Sequence, residues 1–135
     1  MSVRRAALAA LTAVTEEGAY ANLALKSAAA ALPKADAGRV SALVYGTLDH
    51  LLTIDHYLSA LTAANKNALV RNVLRLGACQ LLYMRTPAHA AVNESVALCR
   101  EIGKAALSGY VNGVLRALQR RIAGNALPPL PADAT

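Results

Sequence analysis

The stretch ALVRNVLRLGACQLLYM, residues 68–84, carries apolar side chains at the spacing of an α-helix. These side chains form one apolar stripe, and Leu76, Leu82 and Tyr83 widen it until the helix is apolar on nearly all sides. Such a pattern is typical of a helix at the centre of a bundle. Gly77 costs such a helix about 1 kcal/mol relative to alanine and therefore predicts a close helix–helix crossing. The inner stripe itself consists of Val70, Val73, Leu74, Gly77, Leu81 and Met84.

The rest of the chain has the same helical periodicity, and no segment alternates with a period of two over a useful length. The chain has 135 residues, 56% of them hydrophobic and none of them Phe or Trp, so the sequence predicts one all-α domain with an aliphatic core. Residues 1–123 form the predicted domain, and residues 124–135, with three prolines, form a tail or the start of an inter-domain linker. The six predicted helices are Ser2–Glu17, Asn22–Leu32, a long segment from Asp36 with a break near Asp55, Ala68–Met84, a segment from Pro87 to about Ile102, and Tyr110–Ile122.

Helix ends are predicted from capping residues. Ser2 is predicted to be the N-cap of the first helix, and Gly18 is predicted to end it. Asp36 is expected to cap the third helix after Pro33 stops the second. The inner face of the third helix includes Leu52. In the fifth helix, Thr86 is expected at the N-cap and Pro87 at the first helical position.

The net charge of +6 favours an anionic partner, with RNA or DNA first and an anionic membrane surface second. Arg4 and Arg5 lie at the N-terminus of a helix, where cations interact unfavourably with the helix dipole and lower helix stability. Binding of phosphate groups would explain why two arginines occur there. The alternative for each basic cluster is an ordinary solvated helix face. Three clusters are candidates for RNA contact, namely Arg4 with Arg5, Arg71 with Arg75, and Arg116 with Arg120 and Arg121.

The residues favour no catalytic, cofactor-binding or metal-binding role for this chain alone. The three histidines lack the spacing of metal ligands, and no Gly-rich loop follows a strand. Cys79 and Cys99 lie within apolar helical patterns and are predicted to be buried thiols in a reducing compartment. No uninterrupted apolar run reaches transmembrane length, so we expect no membrane span and a cytoplasmic location.

Three segments in this order, LVYGTLDHLLTIDHYL (43–58), LRLGACQLLYMRTPAHAAVNESV (74–96) and YVNGVLRALQRR (110–121), resemble the NusB-like domain family. The resemblance covers about residues 4–123. Domains of this family occur as the free transcription antitermination factor and as the N-terminal domain of bacterial 16S rRNA cytosine-C5 methyltransferases. The proline-histidine-alanine motif of residues 80–94 and Arg116 resemble the methyltransferase branch, whereas Asp49 stands where that branch often has arginine.

The resemblance implies an all-α bundle of about six to seven helices that binds RNA, with 16S rRNA as the expected ligand. S-adenosylmethionine and two catalytic cysteines would belong to a separate C-terminal domain, so no cofactor is expected in this chain. The proline-rich tail falls where the linker to that domain would begin. The motif residues are predicted to be mainly structural, with RNA contact as the alternative, and they are Pro87, His89, Asn93, Glu94 and Asn112.

Three functions remain open at this point. The first is an RNA-binding domain of an rRNA methyltransferase, partnered by its own C-terminal domain. The second is a free antitermination factor that binds RNA together with a ribosomal protein. The third is a protein-interaction scaffold without an RNA role, which an exposed apolar patch would favour. The sequence leaves the oligomeric state undecided.

Overall fold

The computed structural model describes residues 2–63, 65 and 67–131. Within that part of the chain there are seven α-helices and no strand, which confirms the all-α prediction. A short 3-10 turn, Ala105–Leu107, precedes the last helix. The helices are α1 (Val3–Glu17), α2 (Ala21–Ala28), α3 (Lys34–Asp49), α4 (Leu51–Ser59), α5 (Ala68–Leu82), α6 (Ala88–Glu101) and α7 (Ser108–Ala123).

Helix α5 lies at the centre, as its sequence predicts. It packs against α1, α3, α4, α6 and α7. The side-chain oxygen of Asn67 caps its N-terminus by accepting hydrogen bonds from the backbone N–H groups of Leu69 and Val70, at 3.0 and 3.3 Å. Helix α5 therefore organises the fold, because five of the other six helices pack against it.

The predicted close crossing at Gly77 is present. A Cβ atom at Gly77 would lie 2.7 Å from both Leu115 Cδ1 on α7 and Ser95 Oγ on α6. Leu115 and Ser95 are buried, and the Ser95 hydroxyl is already held by a 2.9 Å hydrogen bond to the carbonyl of Ala91. Three helices thus meet at the one position of α5 that has no side chain.

A buried polar network fixes α1 and α4 against α5. Asn72 is fully buried, and its Nδ2 donates to Thr12 Oγ1 at 3.1 Å and to Thr15 Oγ1 at 3.0 Å. Its Oδ1 accepts a 2.9 Å hydrogen bond from Arg75 Nη1. Arg75 in turn donates from Nε and Nη2 to the two carboxylate oxygens of Asp55, both at 2.9 Å. Because every member has a partner, the network specifies how these three helices align.

The structure confirms both predicted ends of the first helix. The Ser2 hydroxyl accepts a hydrogen bond from the backbone N–H of Arg5 at 3.1 Å. Gly18 follows the helix with φ +70°, the left-handed conformation that glycine adopts most readily at a helix C-terminus.

Other predicted helix ends are wrong by a few residues. Helix α2 ends at Ala28 rather than Leu32. Helix α3 begins directly after Pro33, so Asp36 lies inside the first turn and pairs with Arg39 at 4.0 Å instead of capping. A carboxylate there still suits the positive end of the helix dipole.

The break in the predicted third helix occurs at His50, five residues before the predicted position. The chain turns there, and Leu52 is consequently 77% exposed instead of facing the core. Ile54 is fully buried and occupies the core position on this helix. In α6, Pro87 is the N-cap and no side chain caps the helix, so the predicted cap at Thr86 is wrong by one residue.

The described part of the tail contacts the domain. Leu127 packs against the core, and the ring Nε2 of His56 forms a 2.9 Å hydrogen bond with the carbonyl of Pro129. Residues 132–135 of the predicted linker, and Ala64 and Lys66 of the predicted loop before α5, lie outside the described residues. None of the described helices is long and apolar enough to span a membrane.

Replacing Gly77 with alanine should destabilise the domain although alanine is the better helix former. The added methyl group meets buried atoms at 2.7 Å, and overpacking of this kind costs about 1–3 kcal/mol, against about 1 kcal/mol gained in helix propensity. We expect the free energy of unfolding, measured by urea denaturation, to fall for Gly77→Ala.

The matched control is Gly113→Ala on α7, where an added Cβ has no atom within 4 Å. That variant should gain about 0.5–1 kcal/mol in unfolding free energy. Equal stabilisation by both substitutions would contradict the close crossing at Gly77.

Replacing Asn72 with leucine should lower the unfolding free energy by about 2–3 kcal/mol, because two threonine hydroxyls and one arginine N–H lose their buried partner. Asn93→Leu on the exposed face of α6 is the control, and we expect it to change stability by less than about 0.5 kcal/mol. Thermal and urea unfolding would measure both, and equal effects of the two variants would argue against the network.

Candidate nucleic-acid interface

The predicted basic cluster at the start of α1 is partly neutralised. Arg4 forms an ion pair with Glu101 at the end of α6, with Nη2 2.6 Å and Nε 2.9 Å from Oε1. The Ser2 hydroxyl donates to the other oxygen of Glu101 at 3.0 Å. Arg5 is exposed, and no ion pair of its side chain is found among the described residues. The ion pair therefore leaves Arg5 as the uncompensated charge of this cluster.

A cleft of about 430 Å³ beside this cluster has mixed charge. Arg4 and Arg39 line it together with Asp36 and Glu94, so two cations face two carboxylates. This balance of charge makes the cleft itself a poor site for a polyanion.

The predicted cluster of Arg71 and Arg75 is committed to ion pairs. Arg71 contacts Glu16 of α1 through Nη2 at 3.1 Å and donates from Nη1 to the carbonyl of Asn65 at 2.8 Å. Arg75, with a side chain only 14% exposed, forms the two-bond pair with Asp55. Both arginines therefore join helices, and their contact with RNA remains an untested prediction.

The third predicted cluster has no ion pair with a carboxylate among the described residues. Arg116 and Arg120 are exposed on the outward face of α7, and Arg121 is half-buried beside them. Asn112 shares this face and accepts a 3.1 Å hydrogen bond from Nε of Arg116, which orients the guanidinium. No acidic residue occurs between Glu101 and Asp133 in the sequence, so no neighbour along the chain offsets these cations. We call Arg116, Arg120 and Arg121 the α7 cluster.

Arg4 and Arg5 at the start of α1 and the α7 cluster lie on different parts of the bundle. Helices α1 and α7 do not touch, and α5 and α6 each pack against both of them. The sequence therefore identified two basic surfaces whose separation only the fold reveals.

Two cations that the sequence analysis did not assign to a cluster lie beside the first surface. Arg100 is exposed and next to Glu101, and Lys104 follows the end of α6, where its backbone N–H donates to the carbonyl of Cys99 at 2.8 Å. Their proximity to Arg4 and Arg5 depends on the Arg4–Glu101 contact across 97 positions of sequence. Helical periodicity carries no signal for such a contact.

The motif residues of α6 form few polar contacts. His89, Asn93 and Glu94 are exposed. Glu94 accepts a long 3.4 Å hydrogen bond from Gln80, and no side-chain hydrogen bond of His89 or Asn93 is found within the described part of the chain. The buried polar residue of α6 is Ser95, which sequence reasoning missed.

Both cysteines are buried, as predicted. Burial raises the pKa of the Cys79 thiol, although a hydrogen bond with Thr47 acts in the opposite direction. Burial also raises the pKa of the Cys99 thiol. A raised pKa keeps a thiol protonated near neutral pH, so neither side chain has the character of an activated nucleophile. Among the described residues, no three His, Cys, Asp or Glu side chains are grouped so as to hold a metal ion.

A second cleft, of about 270 Å³, lies between α4, α5 and α7. Leu58, Leu74 and Tyr110 supply much of its apolar lining, and Asp55 and Arg75 also line it. The hydroxyl of Tyr110 is 2.8 Å from Thr62 Oγ1, which fixes the ring. Tyr110 is the residue of α7 in the lining of this cleft.

Comparison with known proteins agrees with this architecture. The family model described as the NusB family matches residues 1–120. The chain is 36% identical over 126 residues to the probable ribosomal RNA small subunit methyltransferase B of Bacillus subtilis (strain 168), a match that covers 88% of this chain and 28% of the relative. It is 33% identical over 123 residues to the ribosomal RNA small subunit methyltransferase B of Vibrio cholerae, covering 89% of this chain and 28% of the relative.

A shorter relative matches a smaller part of the chain. The transcription antitermination protein NusB of Lysinibacillus sphaericus (strain C3-41) is 38% identical over 78 residues, which are 54% of this chain and 61% of that protein. The chain thus spans little more than a quarter of the methyltransferases and part of the free factor. Since the family match extends over 120 of 135 residues and the fold is the expected helical bundle, the chain belongs to the NusB family.

Proposed function

We propose that this domain binds single-stranded RNA of the small ribosomal subunit, with the α7 cluster as its main phosphate-binding surface. The observation that carries the proposal is the charge of α7. Arg116 and Arg120 are exposed, and the sequence has no acidic residue from position 102 to position 132. Arg4, Arg71 and Arg75, in contrast, form ion pairs with carboxylates of the same domain.

Electrostatics favours a polyanion as the ligand. Uncompensated arginines bind phosphates and release the counterions condensed around the nucleic acid, which makes the affinity fall with salt. The relatives named as ribosomal RNA small subunit methyltransferases supply the class of RNA. In this proposal Arg5, Arg100 and Lys104, which lie near the Arg4–Glu101 ion pair, are a second and weaker set of cations for a longer RNA.

We further propose that the domain is the N-terminal, non-catalytic part of an rRNA cytosine-C5 methyltransferase. The methyltransferase relatives are more than three times longer than the matched region. In this proposal a C-terminal domain binds S-adenosylmethionine and carries the catalytic cysteines, while the present domain holds the RNA. The raised pKa values of the buried Cys79 and Cys99 thiols do not suit either of them to the role of those catalytic cysteines.

A second candidate function is supported by the match to the transcription antitermination protein NusB. In that case the same surface would bind RNA together with a ribosomal protein. The two functions differ in whether the gene continues into a methyltransferase domain, which its reading frame would show. Exposed apolar side chains also occur at α2, where Leu23 is 58% exposed and Tyr20, just before the helix, 76%, and at Leu52 on α4, which is 77% exposed. A few exposed apolar side chains are ordinary on a protein surface and do not by themselves favour a scaffold role.

The Arg116→Ala/Arg120→Ala variant should bind single-stranded RNA more weakly and with less dependence on salt. Each phosphate contact contributes about 0.7 to the slope of log K against log salt for single strands, so two lost contacts should reduce the slope by about 1.4. Fluorescence anisotropy with a labelled RNA, at several salt concentrations, would measure both quantities.

The matched control is Lys26→Ala/Lys34→Ala, which removes two exposed cations from α2 and α3 and changes the net charge equally. Its slope should remain near that of the unmodified domain. If the two double variants lose affinity and slope equally, binding depends on net charge alone and α7 is not the interface.

A further inference from the structure

We propose that the cleft between α4, α5 and α7 receives one unpaired base of the bound RNA. This inference rests on the proposed function and adds a site for a base to the surface for phosphates. Its volume of about 270 Å³ lies just below the range of about 300–1,000 Å³ that is usual for pockets holding drug-sized ligands. A single planar heterocycle is the class of ligand that fits.

The lining of the cleft suits the faces of a base. Leu58 and Leu74 are almost fully buried and supply apolar surface. The Tyr110 ring is held in place by the 2.8 Å contact of its hydroxyl with Thr62. Aromatic rings of this kind are the platforms on which proteins stack unpaired bases.

The polar groups of the cleft suit the edges of a base. The planar guanidinium of Arg75 and the carboxylate of Asp55 form a two-bond pair within the lining, and the carboxylate side chain is still 40% exposed. A carboxylate oxygen has more than one lone pair and accepts further hydrogen bonds from a base amino group. Asn65 also lines the cleft, and its Oδ1 accepts a 2.7 Å hydrogen bond from the backbone N–H of Asn67. Its side-chain NH₂ group is a donor of the kind that pairs with a base carbonyl.

The charges within the cleft argue against a phosphate as its occupant. Arg75 is neutralised by Asp55, and Arg71 by Glu16. The uncompensated cations instead begin at Arg116, six residues after Tyr110 on the same helix and so about 9 Å further along it. Arg116 also lies about a third of a turn around α7 from Tyr110, so in this proposal a strand whose phosphates contact the α7 cluster bends around the helix to place one base in the cleft.

Filling the cleft tests the inference. Ser59 is exposed and lines the cleft, so Ser59→Trp should place an indole where the base would lie. Ser27→Trp is the matched control, because Ser27 is exposed on α2, which among the described elements packs against α1 and α3 and against no element that lines the cleft. The probe is a short single-stranded RNA of mixed sequence, together with the same strand carrying one abasic nucleotide at each position in turn.

The unmodified domain should lose about 5- to 150-fold in affinity when the abasic nucleotide falls at one particular position, the range expected for loss of one stacked base. Ser59→Trp should bind the intact strand more weakly by a similar factor and should no longer respond to the abasic position. Its salt slope should be unchanged, because no phosphate contact is lost. Ser27→Trp should behave as the unmodified domain.

Retention of full affinity and of the abasic response in Ser59→Trp would overturn the inference, and the salt slope of the α7 variants would then still decide the proposed function separately. If Ser59→Trp fails to fold, Tyr110→Leu replaces it and should lose the same response, with Tyr110→Phe restoring most of it because the ring returns. No restoration by phenylalanine would also overturn the inference. A domain that binds no RNA at any salt concentration would overturn both proposals.

Discussion

The close approach of three helices at Gly77 is the constraint on which the rest of the structure depends. Because α5 has no side chain at that position, Leu115 of α7 and Ser95 of α6 enter the space that a Cβ would occupy. The crossing places α6 and α7 directly on the central helix. It thereby fixes the outward face of α7, which carries the uncompensated arginines, and one wall of the cleft that contains Tyr110.

Arginines with similar sequence surroundings have different roles in this domain. Arg75 belongs to a polar network that includes the buried Asn72 and the carboxylate of Asp55, and it holds helices together. Within the described residues, the one side-chain hydrogen bond of Arg116 is to Asn112 on its own helix, and Arg116 is exposed. The carboxylate partners are therefore what separates a structural arginine from one that is available to a ligand.

Helical periodicity predicted those features of the fold that depend on residues within a single helix. The all-α class, the central position of α5, the crossing at Gly77 and the caps at Ser2 and Gly18 all follow from spacing and side-chain chemistry along one helix. The roles of the arginines did not follow, because Arg75, Arg71 and Arg4 find their partners 20, 55 and 97 residues away. The cleft could not be predicted from the sequence either, because its lining comes from three helices whose relative positions the periodicity does not give.

The central claim is that RNA is bound on the α7 side of the domain, and NMR titration tests it most directly. Backbone amide signals of the isotopically labelled domain would be followed as single-stranded RNA is added at low salt. The account predicts that the amides that shift cluster around Arg116, Arg120 and Tyr110, while those of α2 stay in place. Shifts confined to the start of α1, or to α2 and α3, would contradict it.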